Sequence, residues 1–392
     1  MNWWKKNIQP YLVKTSVVTL LTFLLTWSVL PTLLDFSAVM SLQDADSFRM
    51  SDFYNRVAAH SADKYASDRL LCLTYDGFSR DTIAQVLEKL AACCQPAAVG
   101  VDFHFLLPQD NDARLVAAMQ ALHDRLVLPV TVAGNDSDGY VLRGKPCFAD
   151  SLPEVRFGAV NLAGNYFLDV IRDFPPFFVA EGDTCRNIAV ELAWLADPVT
   201  TERFLEANKD RELITISYPF LQPDTLSAAS FLREEEDWSA WVNGRAVLIG
   251  AVKDIKDTYQ TPLPTLTPGL MIHAYTAGTI LREDSITESG KGTGWVWAVI
   301  LCFLLTWINC LVGSRLPDAG NGLMRIFQFL VMLFLLWFGY FSFVTRHVYY
   351  DLSHAVMMLL LLGFAYDLYG LFEPVRLKIT AWLHKHQKKR KQ

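Results

Sequence analysis

The chain is short of charge and of catalytic signatures. Only 19% of its residues are Asp, Glu, Lys or Arg. No Gly-x-Ser-x-Gly, His-Glu-x-x-His or phosphate-loop pattern occurs, and no Gly-x-Gly-x-x-Gly bridges a strand and a helix. Serine-esterase, zinc-peptidase, nucleotide-phosphate and dinucleotide chemistry in their usual forms are thereby excluded. There is no Cys-x-x-Cys and no other metal-type spacing, so neither a thioredoxin-like redox pair nor a zinc module is encoded. Internal repeats, low-complexity runs and long linkers are also missing, which fits one folded domain and not an array. Residues 1–34 contain no acid at all.

What is present is apolar surface in long runs. Hydrophobic residues make up 52% of 392, too many for an ordinary soluble protein and too few for one wholly within a membrane. Leu12–Leu34 carries one charge, Lys14 at its edge, and exceeds the roughly 20 residues that a bilayer requires. It is longer than a signal-peptide core of about 7–15 residues and lacks a convincing small-x-small site after it, so it is expected to stay as an anchor. Gly294–Val312, Leu323–Val344 and His354–Leu371 are three further expected spans. Trp295 and Trp297 suit an interfacial aromatic belt.

Charge is distributed unevenly. Residues 1–34 carry a net +3 and residues 294–392 a net +6, so the −6 total leaves about −15 on the middle segment. Basic ends stay inside, and the Lys385–Lys391 run (KHQKKRK) marks the C-terminus as cytoplasmic. The expected layout is residues 1–34 as cytoplasmic N-terminus and span, 35–293 as a periplasmic domain, 294–372 as three spans and 373–392 as a basic cytoplasmic tail. This places the protein in a bacterial inner membrane with lipids as partners. An acidic domain argues against nucleic acid, whose phosphates need a cationic face. Arg325 and Asp367 enter neighbouring expected spans at similar depth and can pair, since intramembrane acids are costly alone. An interfacial Asp367 reaching headgroups and water remains an equal alternative.

Within 35–293 strands and helices alternate. Leu70–Tyr75, Ala97–Phe103, Arg125–Val132 and Arg245–Ala251 are near-continuous apolar runs, as in parallel strands buried on both faces. Phe157–Leu162, Asp169–Arg172 and Leu213–Tyr218 are shorter expected strands. Ser37–Ser67 has a helical flavour, and helices are expected after Ser79, from Pro108–Asp112, over Thr184–Ala196 and from Thr267. The fold class is α/β: a doubly wound, mostly parallel sheet inserted between one N-terminal and three C-terminal spans.

In such sheets ligands sit at the carboxyl ends of strands. Asp76, Asp102 and Asp254 fall at or just after strand ends, Lys253 and Asp257 share the last loop, and His273 is near enough to join, as is Arg80. Together they suit a cation, a polyol, an amine or a pH sensor. The same aspartates also suit helix caps and loop braces, a strong local role for Asp in strand-to-helix turns. Thr267 as N-cap, Pro268 at the first helical position and Gly269 begin a helix that leads toward Gly294, so these three are candidate signal-coupling residues. Five cysteines lie in the middle segment. Cys72 and Cys94 suit buried packing positions. Cys147 and Cys185, in polar stretches, are the candidates for a disulfide in an oxidising compartment.

Several blocks in order resemble the CHASE domain of the second type, a cyclase- and histidine-kinase-associated sensory extracellular domain. They are FRMSDFYNRV after the anchor, a strand ending in YDG, VGVDFHFLLPQDNDARLVAAM, and GRAVLIGAVKDIKDTYQTPLPTLTPGLMIHAYTAGTIL before the spans. The last block is the most specific, and the similarity covers roughly Phe48 to Leu281. It implies a sensor, not an enzyme, with no cofactor. Family members usually carry a cyclase or kinase after the third span. Only about twenty residues follow Leu371 here, fewer than the roughly 50 a domain needs, so the output is expected on another, cytoplasmic chain. A periplasmic partner and self-association stay open, and a non-catalytic scaffold subunit of an envelope complex is the main alternative. An exported Asp-dependent enzyme ranks third.

Overall fold

The computed structural model describes residues 9–34, 49–61, 65–77, 79–135, 139–163, 170–233, 237–289, 294–316 and 320–390. Side chains of 9–10, 29–34, 61, 65–67, 320–321, 373 and 375–390 are outside that description, and with them the basic tail. In chain order the longer elements are α1 (Gln9–Leu34), α2 (Met50–Ser61), β1 (Tyr65–Tyr75), α3 (Arg80–Cys93), β2 (Ala98–Asp102), α4 (Asp112–Gln120), β3 (Leu126–Asn135), β4 (Gly139–Arg143) and β5 (Arg156–Ala159). They continue with α5 (Ile188–Ala196), α6 (Pro198–Ala207), β6 (Leu221–Ser227), β7 (Ala246–Ala251), α7 (Gly269–Leu281), α8 (Gly294–Arg315), α9 (Gly320–Arg346) and α10 (Ser353–Arg390). Two compact units result: Ser51–Thr287, and Met1–Met50 with Glu288–Gln392.

The first unit is built on a seven-stranded sheet in the order β6-β1-β7-β2-β3-β4, with β5 also on β3. Every pairing is parallel except β3 with β4. Alternation along each strand feeds two cores. Leu71 and Leu73 of β1, Val99 and Val101 of β2 and Val247 and Ile249 of β7 meet Ile83 and Leu87 of α3 and Leu115 and Met119 of α4. Leu70 and Cys72 of β1, Ala98 of β2 and Ala246 and Leu248 of β7 meet Leu192 of α5 and Leu270, Ile272 and Ala277 of α7. The sheet is therefore covered on both faces. Gly100 and Gly250 keep these layers close: a Cβ at Gly100 would lie 2.8 Å from Leu248 Cδ1, and one at Gly250 would lie 2.6 Å from Leu270 Cδ1.

The last strand in sequence, β7, lies between β1 and β2, with Tyr75 opposite Ala251 and Gly250 opposite Asp102. The chain leaves β2 toward α4 on one face and leaves β7 toward α7 on the other. A crevice at the carboxyl ends of two adjacent strands follows from that divergence.

Several local expectations are corrected. Residues 65–67, grouped with a helical stretch, open β1. The helix expected over Thr184–Ala196 starts at Ile188, because Asp183–Arg186 pairs with Phe177–Ala180 in a hairpin. No strand spans the described part of Asp169–Arg172; Asp173–Phe174 pairs with Ile214–Thr215 instead, and Asp169 lies outside the described residues. Cys147 and Cys185 are both free. Cys147 takes a backbone bond to Phe105 O beyond β2, whereas Cys185 packs with Val130 and Ala159 under the hairpin, so different parts of the fold hold them.

In the second unit four helices are long and apolar enough to cross a membrane: Tyr11–Ser28, Gly294–Arg315, Gly322–Arg346 and Ser353–Phe372. Val18 of α1, Cys302 and Leu305 of α8, and Met358, Leu359 and Leu362 of α10 form their shared core. Thr15, Thr19, Thr22 and Thr26 are a buried stripe on α1. Small side chains let apolar helices approach closely, and Thr22 and Thr26 return their hydroxyl protons to backbone carbonyls one turn earlier, at 2.8 Å. Arg325 Nη2 lies 2.7 and 2.6 Å from the two carboxylate oxygens of Asp367.

Candidate functional site

The crevice between β2 and β7 opens into a cavity of about 320 Å³. Its polar wall is Asp102 at the end of β2, His104 two residues on, Asp254, Asp257 and Tyr259 from the loop after β7, and His273 on α7. Phe103, Val160, Leu162 and Ala251 supply apolar wall, and Gly269 completes the lining at the start of α7.

Each polar group is placed by local chemistry. Asp254 Oδ1 accepts from Lys256 N at 2.9 Å and its carbonyl accepts from Asp257 N at 3.0 Å, which closes a single tight turn. Thr258 and Tyr259 then pair antiparallel with Pro268 and Thr267. This small hairpin sets Asp257 against the first turn of α7. A Cβ at Gly269 would lie 2.6 and 2.7 Å from the Asp257 carboxylate oxygens, so only glycine admits that carboxylate here. Thr267 is not the cap that its sequence suggests. Pro268 holds the cap position with extended backbone and gives no side-chain bond, while the Thr267 hydroxyl meets the Thr261 hydroxyl at 2.8 Å.

Burial sets the electrostatics. Removal from water pushes the Asp102 carboxyl up to about 6, slightly opposed by His104. Asp257 is also pushed up to about 6, by burial first and then by the negative charge of Asp102, against a hydrogen bond from Tyr259 and the attraction of His273. Burial pushes His273 down to about 4, so its imidazole is neutral at pH 7. The cavity thus holds two carboxyls raised by burial beside a neutral imidazole. It has no Lys or Arg in its lining.

Of the residues singled out from sequence, Asp102, Asp254, Asp257 and His273 meet around this cavity. Asp76 and Lys253 do not line it. They pair with each other at 2.6 Å on the surface, where both side chains are more than half exposed. Arg80 is also elsewhere, buried and committed to Asp112 and to Leu107 O. His104 was not anticipated. Its signal is the two-residue alternation continuing past Asp102 in VDFHF. Among the described residues no group of three or more His, Cys, Asp or Glu is placed to hold a metal ion.

The family model described as CHASE2 domain matches residues 64–314. The chain belongs to the CHASE2 family. The matched stretch takes in the whole sheet, the cavity and α7, and runs on through almost all of α8. It begins later than Phe48 and ends well beyond Leu281, so the CHASE2 sensory domain includes the first apolar helix after the sheet. No curated protein and no solved structure matches the chain.

Proposed function

We propose that this CHASE2 protein is a four-pass bacterial inner-membrane sensor whose periplasmic, doubly wound α/β domain binds a ligand in the β2–β7 cavity. Occupancy shifts α7, and the shift passes along the chain into α8 and to a separate cytoplasmic effector. One observation carries this: the start of the outgoing helix forms part of the cavity wall. Gly269 and His273 belong to α7, and α7 is the last helix before α8. A ligand on Asp257 therefore touches the element that continues toward the apolar helices. Coupling requires two states with different ligand affinity, and the loop after β7, shaped by one tight turn and two residue pairs, is a suitable bistable element. The acidic middle between basic ends supports the periplasmic placement. The four apolar helices support the topology.

A scaffold role has one specific observation in its favour. Ile255 is 87% exposed and Leu266 62% exposed, both on the loop beside the cavity, and exposed apolar side chains suit a protein partner. Gentle-detergent purification from native membranes with mass spectrometry of co-purifying chains separates the two. The sensor account expects a cytoplasmic cyclase-, kinase- or phosphatase-type partner. A purely periplasmic partner set, unchanged in Asp257→Asn, would transfer the role to the scaffold.

A further inference from the structure

We infer that the cavity takes a small organic cation, a protonated amine on a carbon skeleton, with Asp102 and Asp257 as its counter-charges and His273 as a hydrogen-bonding partner. This rests on the proposal that the cavity is the receptor site. Paired acids alone would not identify a ligand. The second observation is His273, which is 3% exposed, lines the cavity and makes no hydrogen bond among the described residues. Buried imidazole nitrogens normally find partners. This one faces open space instead, beside carboxylates that have no Lys or Arg in the wall to neutralise them.

The requirements on the ligand follow. A neutral polyol satisfies hydrogen bonds and leaves the negative charge in place, whereas an ammonium group satisfies them and offsets the charge. It brings up to three N–H donors, and Asp102, Asp257 and the neutral His273 can each accept one. A bare divalent ion would need three or more closely set ligands, and none of the described residues form such a group. Phe103, Val160 and Leu162 give the site apolar area that a bare ion cannot use and a carbon skeleton can. The groups facing the carboxylates are His104 just after β2, Asp254 and Tyr259 from the loop, and His273 from α7. None of these is a Lys or an Arg. Binding should therefore weaken as Asp102 and Asp257 take up protons near pH 6.

Calorimetric titration of the full chain in detergent tests this with matched probes: glucosamine against glucose, putrescine against 1,4-butanediol, and calcium chloride. At least one amine is expected to bind at pH 7.5 while its neutral partner does not. That affinity should fall at least tenfold at pH 5, and at least tenfold in Asp102→Asn. Asp257→Asn serves the same purpose should Asp102→Asn fail to fold. Equal binding of an amine and its neutral partner, or binding of calcium alone, would overturn the ammonium assignment and leave the receptor cavity standing. No binding by any probe would overturn both.

Discussion

A buried and a half-buried carboxylate at different places in the Ser51–Thr287 unit have opposite surroundings. Asp52 on α2 is clamped by Arg172, whose Nε and Nη2 donate to its two oxygens at 2.7 and 2.6 Å. The side chains are only 5% and 9% exposed. Asp102 faces a cavity with no Lys or Arg in its lining. The first arrangement spends a fixed cation on a fixed anion and serves architecture. The second leaves a charge to be matched from outside. Burial alone does not mark a functional carboxylate; burial without a built-in partner does.

The sharpest way to break that contrast is at Asp52. Asp52→Ala leaves the Arg172 charge buried without its main partner, and loss of about 3–5 kcal/mol is expected, measured by denaturant unfolding of the full chain. A change of under about 1 kcal/mol would remove the structural half of the comparison. The cavity pair should respond with the opposite sign. Asp102→Asn with Asp257→Asn removes the mutual repulsion and the burial penalty, so the apo protein is expected to gain roughly 2 kcal/mol at pH 7.5.

The pH dependence sharpens this further. Both carboxyls have folded values of about 6, above their unfolded range, so the folded state holds their protons more tightly and wild type gains stability as pH falls from about 6 toward 4. His273 has a folded value of about 4, below its unfolded one, and works against that gain in the same window. Because His273 is common to both proteins, the wild-type-minus-variant difference isolates the acids. The variant's advantage should shrink by about 2 kcal/mol from pH 6.5 to 4. An advantage constant across that range would show that the two carboxyls are not the source.

Smaller effects complete the series. Gly269→Ala places a methyl group 2.6–2.9 Å from the Asp257 carboxylate atoms and should displace it. Ligand affinity is expected to fall about tenfold with little change in the far-ultraviolet spectrum. Lys253→Ala removes the exposed partner of Asp76 and should change stability by less than about 1 kcal/mol, with ligand binding unaltered.

The sequence shows some of this directly. β2, β3, β7 and α3 fall close to their expected bounds, and β1 ends where expected, because their apolar residues repeat every two or every 3.6 positions. β6 escapes because Pro223 in its middle argues against a strand, and only an edge position tolerates it. The Phe177–Arg186 hairpin escapes because nothing in TCRN distinguishes a strand from a helix start. The site is half legible for a deeper reason. Asp76 and Asp102 both end strands with the same apolar pattern. What separates them is that β7, the last strand, inserts between β1 and β2, and that the chain leaves β7 and β2 toward opposite faces. Strand order is a long-range fact that no local spacing carries. Thr267 and Pro268 likewise match a cap motif, but the pairing of that dipeptide with Thr258 and Tyr259 moves the helix start to Gly269.

The most direct test of the central claim is native mass spectrometry of the full chain released gently from membranes at pH 7.5, wild type beside Asp102→Asn with Asp257→Asn. The cavity account expects a small organic mass retained on wild type and lost from the double variant. The same mass on both proteins at equal occupancy would contradict it and place the ligand elsewhere in the molecule.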